Sequence, residues 1–419
     1  QGKGKKGAKK GPEQEVVTTR WIQTERARCM CPRLGDAYAR TERVQEIRAD
    51  VVFHRLRKAA LRSLDTLDVA GGGIGFLPPE IRDRPELRSL TDVNLSRNQL
   101  FSSDHVFGVL SGLDALRRLD LSDNFLNGAL SPAAGNLASL EELRLDVNQI
   151  TELPATVEQW TELRAFSIAS NILNVLPPQV GDWRNLETLN VRKNKLRMLP
   201  LEMGYWARLQ RLYGGGNDIL ELPAEIGKCG ELEVLDLRKN ALVTLPVELG
   251  SCEKLEFLHV GSNKIAELEP ELCSKLVNLR ELYLYRNKLE EVPPQVGCLA
   301  NVTKLSISGN NIKSLPQEIG QCLEMRELYI NNNQKFSSLP ATVSHLKMLR
   351  ELSARRCKAL KSLPPEVAKC ENLRELDVRS DKKQTCKMTP EFVAALREMR
   401  CTIRGGVQKK GPKGKKADG

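Results

Sequence analysis

The sequence predicts an α/β solenoid: a curved horseshoe of about fourteen turns, with parallel strands on the concave face and helical caps at its ends. Two observations predict this fold. The pattern L-x-x-L-x-L-x-x-N-x-L-x-x-L-P recurs at steps of 23 to 26 residues, and asparagine holds its ninth position in eleven of fourteen copies. One copy cannot bury its own leucines, so successive copies must stack.

Each position of the pattern has a structural reason, as the copy from Leu232 to Pro246 shows. The L-x-L alternation makes a short strand whose leucines face one side. A buried asparagine at the following corner can satisfy backbone groups that leave the strand ladder. Leu-Pro then fixes the backbone for a short helical or irregular return. The predicted asparagine ladder comprises Asn98, Asn124, Asn148, Asn171, Asn194, Asn217, Asn240, Asn263, Asn287, Asn310 and Asn333.

The two ends of the array need caps, because the outermost turns would otherwise expose their leucines. Residues 41–62 place Val44, Ile47 and Val51 near one helical face and predict an N-terminal capping helix. Residues 389–399 begin with Thr389 and Pro390, residue types that favour a helix start, and predict a C-terminal one. Cys401 and Ile403 suit a truncated last strand.

The net charge of +11 is concentrated at the chain ends. Residues 1–11 and residues 404–419 each carry +5, which leaves +1 for everything between. We therefore predict a basic disordered tail (1–11), an N-terminal segment with the capping helix (12–63), the repeat array (64–385), a helical cap (386–403) and a second basic tail (404–419).

At the level of family, the repeats resemble intracellular leucine-rich repeat proteins. The 23-residue rhythm with L-P-x-x-[IV]-G, as at Ile226-Gly227 and Ile319-Gly320, is similar to their Ras-group and Ras-suppressor-like subclass. This resemblance implies a non-catalytic scaffold that holds signalling or cytoskeletal partners on the concave face.

Side chains between the strand leucines are expected on that concave face, because they point away from the leucine layer. Tyrosine and arginine are frequent at the energetic centres of protein interfaces. The candidate protein-binding residues are Tyr213, Phe257, His259, Tyr283, Tyr285, Tyr329, Arg192, Arg238 and Arg286. Stacking of these aromatic rings on one another within the protein is the alternative explanation.

Other conspicuous residues favour packing over chemistry. Trp160, Trp183 and Trp206 recur every 23 residues at a position that elsewhere holds leucine or cysteine, which indicates the core. Cys29 and Cys31 lack the partners of a zinc site, and "GGGIGF" at residues 71–76 is a turn without a dinucleotide-binding unit. We predict no catalytic residues, no metal and no cofactor, and hence no enzyme.

The sequence favours a protein–protein interaction scaffold in intracellular signalling or cytoskeletal assembly. The alternative is a structural component held by its lysine-rich tails on an acidic polymer or surface, either microtubule or ciliary, or RNA. The chain has no run of 18 or more apolar residues and begins with a basic, glycine-rich stretch, which predicts a cytoplasmic protein without a secretory leader or transmembrane segment.

Overall fold

The computed structural model describes residues 65–380 and 386–408, and a single parallel sheet of fifteen short strands runs through them. Its strands are β1 (Thr66–Asp68), β2 (Asp92–Asn94), β3 (Arg118–Asp120), β5 (Glu142–Arg144), β7 (Ala165–Ser167), β8 (Thr188–Asn190), β9 (Arg211–Tyr213), β10 (Val234–Asp236), β11 (Phe257–His259), β12 (Glu281–Tyr283), β13 (Lys304–Ser306), β14 (Glu327–Tyr329), β15 (Glu351–Ser353), β16 (Glu375–Asp377) and β18 (Thr402–Arg404). Each strand pairs with the next in this order, which confirms the solenoid.

Turns are numbered 1 to 14 in the order of these strands, and β18 of the C-terminal cap is the fifteenth strand. Two small parallel sheets lie outside the main one. They join β4 (Asn127–Ala129) to β6 (Gln149–Glu152) and β17 (Lys387–Met388) to β19 (Val407–Gln408).

The return segments are mostly short 3-10 helices. Four are α-helical: α1 (Glu80–Asp83), α2 (Ser103–Leu110), α3 (Pro270–Lys275) and α4 (Pro390–Glu398). The 3-10 helices are Pro85–Leu87, Pro132–Asn136, Ala155–Gln159, Pro178–Asp182, Leu201–Tyr205, Ala224–Lys228, Val247–Ser251, Pro294–Cys298, Gln317–Gln321, Ala341–His345 and Pro365–Lys369. A proline with extended backbone angles precedes most of them, as at Pro200 (φ −70°, ψ 146°), because its ring favours this geometry.

The asparagine ladder is present, and its hydrogen bonds run to the backbone rather than from one asparagine to another. Asn263 is typical: its amide nitrogen donates to the carbonyls of Val260 (2.9 Å) and Leu237 (3.0 Å), and its amide oxygen accepts from Leu242 N–H (3.0 Å). Each such residue therefore connects its own turn to the preceding one. All eleven are buried except Asn240, which is half-buried. Cys357 fills the same place in turn 13 and its thiol lies 3.3 Å from the Ile330 carbonyl.

The three repeating tryptophans are fully buried, as the sequence predicts. The rings of Trp160 and Trp183 stack with their centroids 5.9 Å apart. Each indole N–H donates to a carbonyl of the preceding turn, as Trp183 does to Val157 at 2.8 Å. Cysteines at the same position do likewise, and the Cys252 thiol lies 3.2 Å from the Ile226 carbonyl. This position therefore accepts an apolar side chain that also carries a hydrogen-bond donor.

The cysteines give a testable contrast in reactivity. Burial raises the pKa of the Cys229, Cys252 and Cys322 thiols to about 12, whereas Cys298 is exposed. Brief iodoacetamide treatment of the native protein at pH 8 should alkylate Cys298 roughly 100-fold faster than these three, because the thiolate is the reacting form. Peptide mapping by mass spectrometry measures the rates. Equal alkylation of all four before denaturation would contradict the burial pattern.

The C-terminal cap forms as predicted and extends further. Thr389 caps α4, since its hydroxyl oxygen accepts from Phe392 N–H (3.2 Å). Ile403 lies in β18, which closes the sheet against β16. Regular structure continues past residue 403 as far as Gln408, where the sequence predicts a tail. The predicted N-terminal capping helix, residues 1–11 and the end of the chain after Gln408 lie outside the described residues. No helix of the described ranges has the length and apolarity needed to cross a membrane.

Candidate protein-binding surface

The predicted binding residues lie on turns 6 to 10 and 12 of one sheet, and their register brings several together. Parallel pairing aligns Tyr213, Asp236, His259 and Tyr283 in consecutive turns. The same column continues through Ser306 to Tyr329. With strands spaced about 4.8 Å apart, the distance from turn 7 to turn 12 is roughly 24 Å.

Four rings form a continuous aromatic cluster in turns 9 and 10: Phe257, His259, Tyr283 and Tyr285. The His259 ring lies 4.8 Å from that of Tyr283 and 5.4 Å from that of Tyr285, centroid to centroid. Phe257 lies 5.4 Å from Tyr283. Phe257 and both tyrosines are half-buried, whereas His259 is only 6% exposed. The structure thus places His259 as a support for the rings around it.

A buried carboxylate, Asp236, organises the side of the cluster toward turn 6. It is 2% exposed and forms ion pairs with Arg192 and, at 3.4 Å, with Arg238. The guanidinium carbon of Arg192 also lies 4.4 Å from the centre of the Tyr213 ring, a cation–π contact. The two arginines are therefore positioned by contacts inside the protein while remaining about a third or more exposed (32% and 42%).

Two glycines make room for these side chains. A Cβ atom on Gly215 would lie 3.3 Å from a carboxylate oxygen of Asp236 and 3.1 Å from Cγ of Arg238. A Cβ on Gly261 would lie 2.7 Å from the Tyr285 ring, which crosses that glycine to place its hydroxyl 3.1 Å from His259 Nε2. At this second repeat position, large side chains (Arg192, Arg238 and Tyr285) alternate with Gly215 and Gly261 in turns 6 to 10, and the large side chains fold over the glycines.

The electrostatic environment affects His259 and the tyrosines differently. Burial is the largest influence on His259 and lowers its pKa; Asp236 opposes this, and Arg238 and Arg192 act in the same direction as burial. Burial and the hydrogen bond to Glu281 (2.6 Å) raise the pKa of Tyr283 to about 12. Tyr283 therefore stays a neutral hydroxyl at any physiological pH.

The side of the cluster toward turn 13 combines tyrosines with carboxylates. Lys304 pairs with Glu327 (2.6 Å), and its ammonium nitrogen lies 5.7 Å and 5.4 Å from the ring centres of Tyr283 and Tyr329. The Tyr329 hydroxyl lies 2.9 Å from Glu327 and 2.8 Å from Glu351. This alternation of aromatic and charged groups connects Tyr329 to the central cluster.

Arg286 is separate from the other candidates. It occupies the corner after β12 with a left-handed backbone (φ 53°) and is exposed on the sheet edge.

The structure also brings in residues that sequence analysis missed, namely Asp236, Glu281, Lys304, Gly215 and Gly261. A signal was available for two of them, because Gly215 and Gly261 alternate with large residues at one repeat position. No group of three or more histidine, cysteine or acidic residues in the described ranges could hold a metal ion.

Comparisons with known proteins agree with this architecture. Residues 262–405 match the leucine-rich repeat region model, and residues 115–137 match that of the leucine-rich repeat. The fold is accordingly that of a leucine-rich repeat solenoid. Such folds typically serve as non-catalytic interaction scaffolds, and no enzyme family matches. The comparison with curated proteins gave no match.

Among solved structures, a leucine-rich repeat protein of Leptospira interrogans is 27% identical over 83% of this chain and 98% of its own, with a TM-score of 0.60. The ectodomain of the Arabidopsis thaliana membrane receptor kinase GASSHO1/SCHENGEN3, solved with CASPARIAN STRIP INTEGRITY FACTOR 2, is 28% identical (TM-score 0.64) and covers 79% of this chain, but only 39% of that ectodomain is matched. An internalin of Listeria monocytogenes, 18% identical, shares the fold over 78% of this chain and 89% of its own, with a TM-score of 0.65.

Proposed function

We propose that this protein is a non-catalytic scaffold that binds a protein partner on its concave face, centred on turns 7 to 12. The observation that carries the proposal is the continuous aromatic cluster of Phe257, Tyr283 and Tyr285 over His259. Its rings are held by internal contacts and yet stay half-exposed. Leucine-rich repeat proteins commonly mediate protein–protein interaction, which supports the choice of partner class.

Preorganisation is the physical reason to expect affinity here. Aromatic side chains that are already fixed lose little conformational entropy on binding, and they bring apolar area together with a polar group. The internal stacking that would explain these rings without a partner instead holds them in place for one.

The charged residues around the aromatic cluster differ between its two sides. Arg192 and Arg238 lie on the side toward turn 6, where they share the single carboxylate of Asp236. Glu281, Glu327 and Glu351 lie on the side toward turn 13, where Lys304 pairs with Glu327. A partner that presents acidic groups to the first side and basic groups to the second complements both. The receptor kinase ectodomain mentioned above was itself solved with a bound factor, which supports a partner on this type of array.

The test is the double substitution Tyr283→Ala with Tyr285→Ala in the full chain. We expect the double substitution to weaken binding of the partner by about 2 kcal/mol, which raises Kd roughly 30-fold, while the circular dichroism spectrum stays unchanged. Partners are captured from cell lysate, and the dissociation constant of the most enriched protein is then measured by calorimetry.

Tyr205→Ala is the matched control, because Tyr205 lies at the end of a return helix, away from the strands, and is 60% exposed. Captured proteins that persist with this variant and disappear with the double variant support the concave site. Equal affinity for the parent and the double variant contradicts it.

We further propose an intracellular setting in signalling or cytoskeletal assembly. Its support is the L-P-x-x-[IV]-G rhythm and the free thiols of all nine cysteines in the described ranges. Anchoring to microtubules, cilia or RNA through the lysine-rich ends stays a separate prediction, since the lysines of those ends lie outside the described residues. Capture at low and high salt distinguishes the two, because attraction to a polyanion falls steeply with salt.

A further inference from the structure

Turn 7 carries two glycines at places where both neighbouring turns carry an arginine and a lysine. These places are the second and third residues after the strand, and they hold Arg192 and Lys193 in turn 6, Gly215 and Gly216 in turn 7, and Arg238 and Lys239 in turn 8. Because adjacent strands lie about 4.8 Å apart, the backbones of turns 6 and 8 are about 10 Å from each other across the glycines. We call these six residues the basic notch.

The two cations of turn 6 lean toward turn 7. The guanidinium carbon of Arg192 lies 4.4 Å from the centre of the Tyr213 ring in that turn. Cγ of Lys193 lies 3.4 Å from the point that a Cβ atom on Gly216 would occupy. Both side chains therefore extend over the turn that lacks large side chains of its own at these places.

Arg238 approaches turn 7 from the other side, and two donors there lack an acceptor. Its Cγ atom lies 3.1 Å from the point that a Cβ atom on Gly215 would occupy. Arg238 N–H donates to Asp236 Oδ1 (3.1 Å), whereas the equivalent N–H of Gly215 donates to no group in the described residues. Nε of Arg192 is likewise buried without an acceptor. Unpaired donors leave positive potential, which favours an anion beside them.

Positive charge in the notch exceeds the negative charge next to it. Among the strand and corner residues of turns 6 to 8, only Asp236 is acidic, and it pairs with both arginines. Lys193 and Lys239 are exposed and form no ion pair with any residue in the described ranges. Four cations against one carboxylate leave a charge of +3.

Other acidic residues around the notch are balanced by cations. Those that directly precede the strands of turns 6 and 8 each pair with an arginine: Glu187 with Arg164 (3.3 Å) and Glu233 with Arg211 (3.7 Å). Asp218 is exposed further along turn 7, and the equivalent residue of turn 6 is Lys195. These residues therefore do not cancel the charge of the notch.

We infer that the basic notch binds a phosphorylated side chain of the protein partner, an inference that rests on the proposed concave binding site. A phosphate monoester carries about −1.5 to −2 charges at pH 7 and three strong acceptor oxygens. It can therefore accept from the arginines and lysines on both sides of turn 7, and guanidinium groups bind phosphate through paired N–H donors. A carboxylate has one charge and two oxygens, and it uses fewer of these donors.

One partner segment can contact both the notch and the aromatic cluster. The cluster lies in turns 9 and 10, about 10 to 14 Å along the sheet from turn 7. The phosphate would add charge recognition to the apolar contact of Phe257, Tyr283 and Tyr285.

The extent of the charge favours a single phosphate over a nucleic acid. The places equivalent to the notch cations hold only uncharged residues in turns 5 and 9, namely Ala169, Ser170, Gly261 and Ser262. The backbone positions of the cations therefore span only about 10 Å along the sheet. A nucleic acid strand carries a phosphate at every nucleotide and would continue past them without further cations.

The experiment uses the full chain and three five-residue peptides that carry phosphoserine, serine or glutamate between two pairs of alanines. Binding at 50 mM NaCl is followed by NMR through the arginine Nε–Hε resonances. We expect the phosphoserine peptide to bind at least about tenfold more tightly than the serine peptide and about threefold more tightly than the glutamate peptide.

Three variants test the residues of the notch. Arg238→Gln should weaken the phosphoserine peptide about tenfold, and it leaves Arg192 as the partner of Asp236. Lys193→Gln with Lys239→Gln should weaken it about fivefold. Gly215→Ala keeps every charge but places a methyl group 3.1 Å from Cγ of Arg238, so we expect a loss of about threefold through displacement of that side chain.

The matched control is Arg355→Gln with Arg356→Gln, which removes two exposed cations from the equivalent places of turn 13. Unchanged binding by this variant, together with loss in the other three, supports the inference. Equal binding of the serine and phosphoserine peptides, no saturable binding of the phosphoserine peptide, or equal loss in the control variant overturns it. Tighter binding of a single-stranded DNA dodecamer through the same residues also overturns it and assigns the notch to nucleic acid.

The Tyr283→Ala, Tyr285→Ala double variant distinguishes this inference from the proposed function. It retains the notch and should bind the phosphoserine peptide as tightly as the parent does, even though it loses the partner. Phosphatase treatment of the partner should weaken its binding to the parent about tenfold. A partner that depends on the two tyrosines but is insensitive to phosphatase would leave the concave site supported and refute the phosphate site.

Discussion

Trp183→Ala is expected to lower the free energy of unfolding by about 4 kcal/mol, because it empties a core position in the middle of the array. The indole of Trp183 is fully buried between the rings of Trp160 (5.9 Å) and Phe166 (5.0 Å). Its N–H bond to the Val157 carbonyl disappears as well. Urea denaturation followed by circular dichroism measures the change.

Trp183→Leu tests whether the loss of stability in Trp183→Ala comes from the size of the cavity that the alanine leaves. Other turns hold leucine at this position, such as Leu276 and Leu299. A leucine side chain is larger than that of alanine and therefore fills part of the cavity left by the indole. We expect a cost well below that of the alanine variant. Equal costs for both substitutions would show that the size of the cavity does not control stability at this position.

Asn263→Ala is expected to cost about 3 kcal/mol, the second largest effect. The Leu237 and Val260 carbonyls retain other asparagine donors, from Asn240 and Asn287. Leu242 N–H, however, loses its acceptor in a buried place. An orphaned buried donor is more costly than a lost hydrogen bond in water. The same urea titration tests this.

Two control variants test whether the effect of Asn263→Ala comes from the lost hydrogen bonds. Asn311→Ala removes an exposed asparagine from another corner of the array and should change stability by less than about 0.5 kcal/mol. Asn263→Asp keeps the acceptor for Leu242 but loses both amide donors and places a carboxylate beside two carbonyl oxygens. It should therefore be at least as destabilising as alanine at neutral pH, and a stable aspartate variant would contradict the proposed hydrogen-bond roles.

Much of the fold follows from the sequence, because the repeat pattern reports burial directly. Each strand leucine, ladder asparagine and core tryptophan occupies a position whose environment is nearly the same in every turn. The register that aligns Tyr213, His259 and Tyr283 follows from that repetition. The fifteenth strand, β18, carries neither the asparagine nor the complete leucine pattern, and the sequence indicated it only as a truncated strand around Cys401 and Ile403.

The details of the surface were less predictable, because they depend on contacts between turns that the pattern does not encode. Sequence analysis placed Arg192 and Arg238 on the concave face but not their shared partner Asp236, which lies in turn 8, two residues before Arg238. It grouped Arg286 with the aromatic residues, whereas the left-handed corner directs that residue to the edge.

The row of indoles also determines what an optical experiment on this protein can detect. Three of the four tryptophans, Trp160, Trp183 and Trp206, lie in the segments that lead into turns 5, 6 and 7. Their intrinsic emission therefore reports chiefly on opening of that central part. If the ends of a stacked array unravel first, this emission stays constant while ellipticity declines. A difference between the denaturation curves followed by tryptophan emission and by ellipticity would thus show whether the ends of the array unfold before its centre.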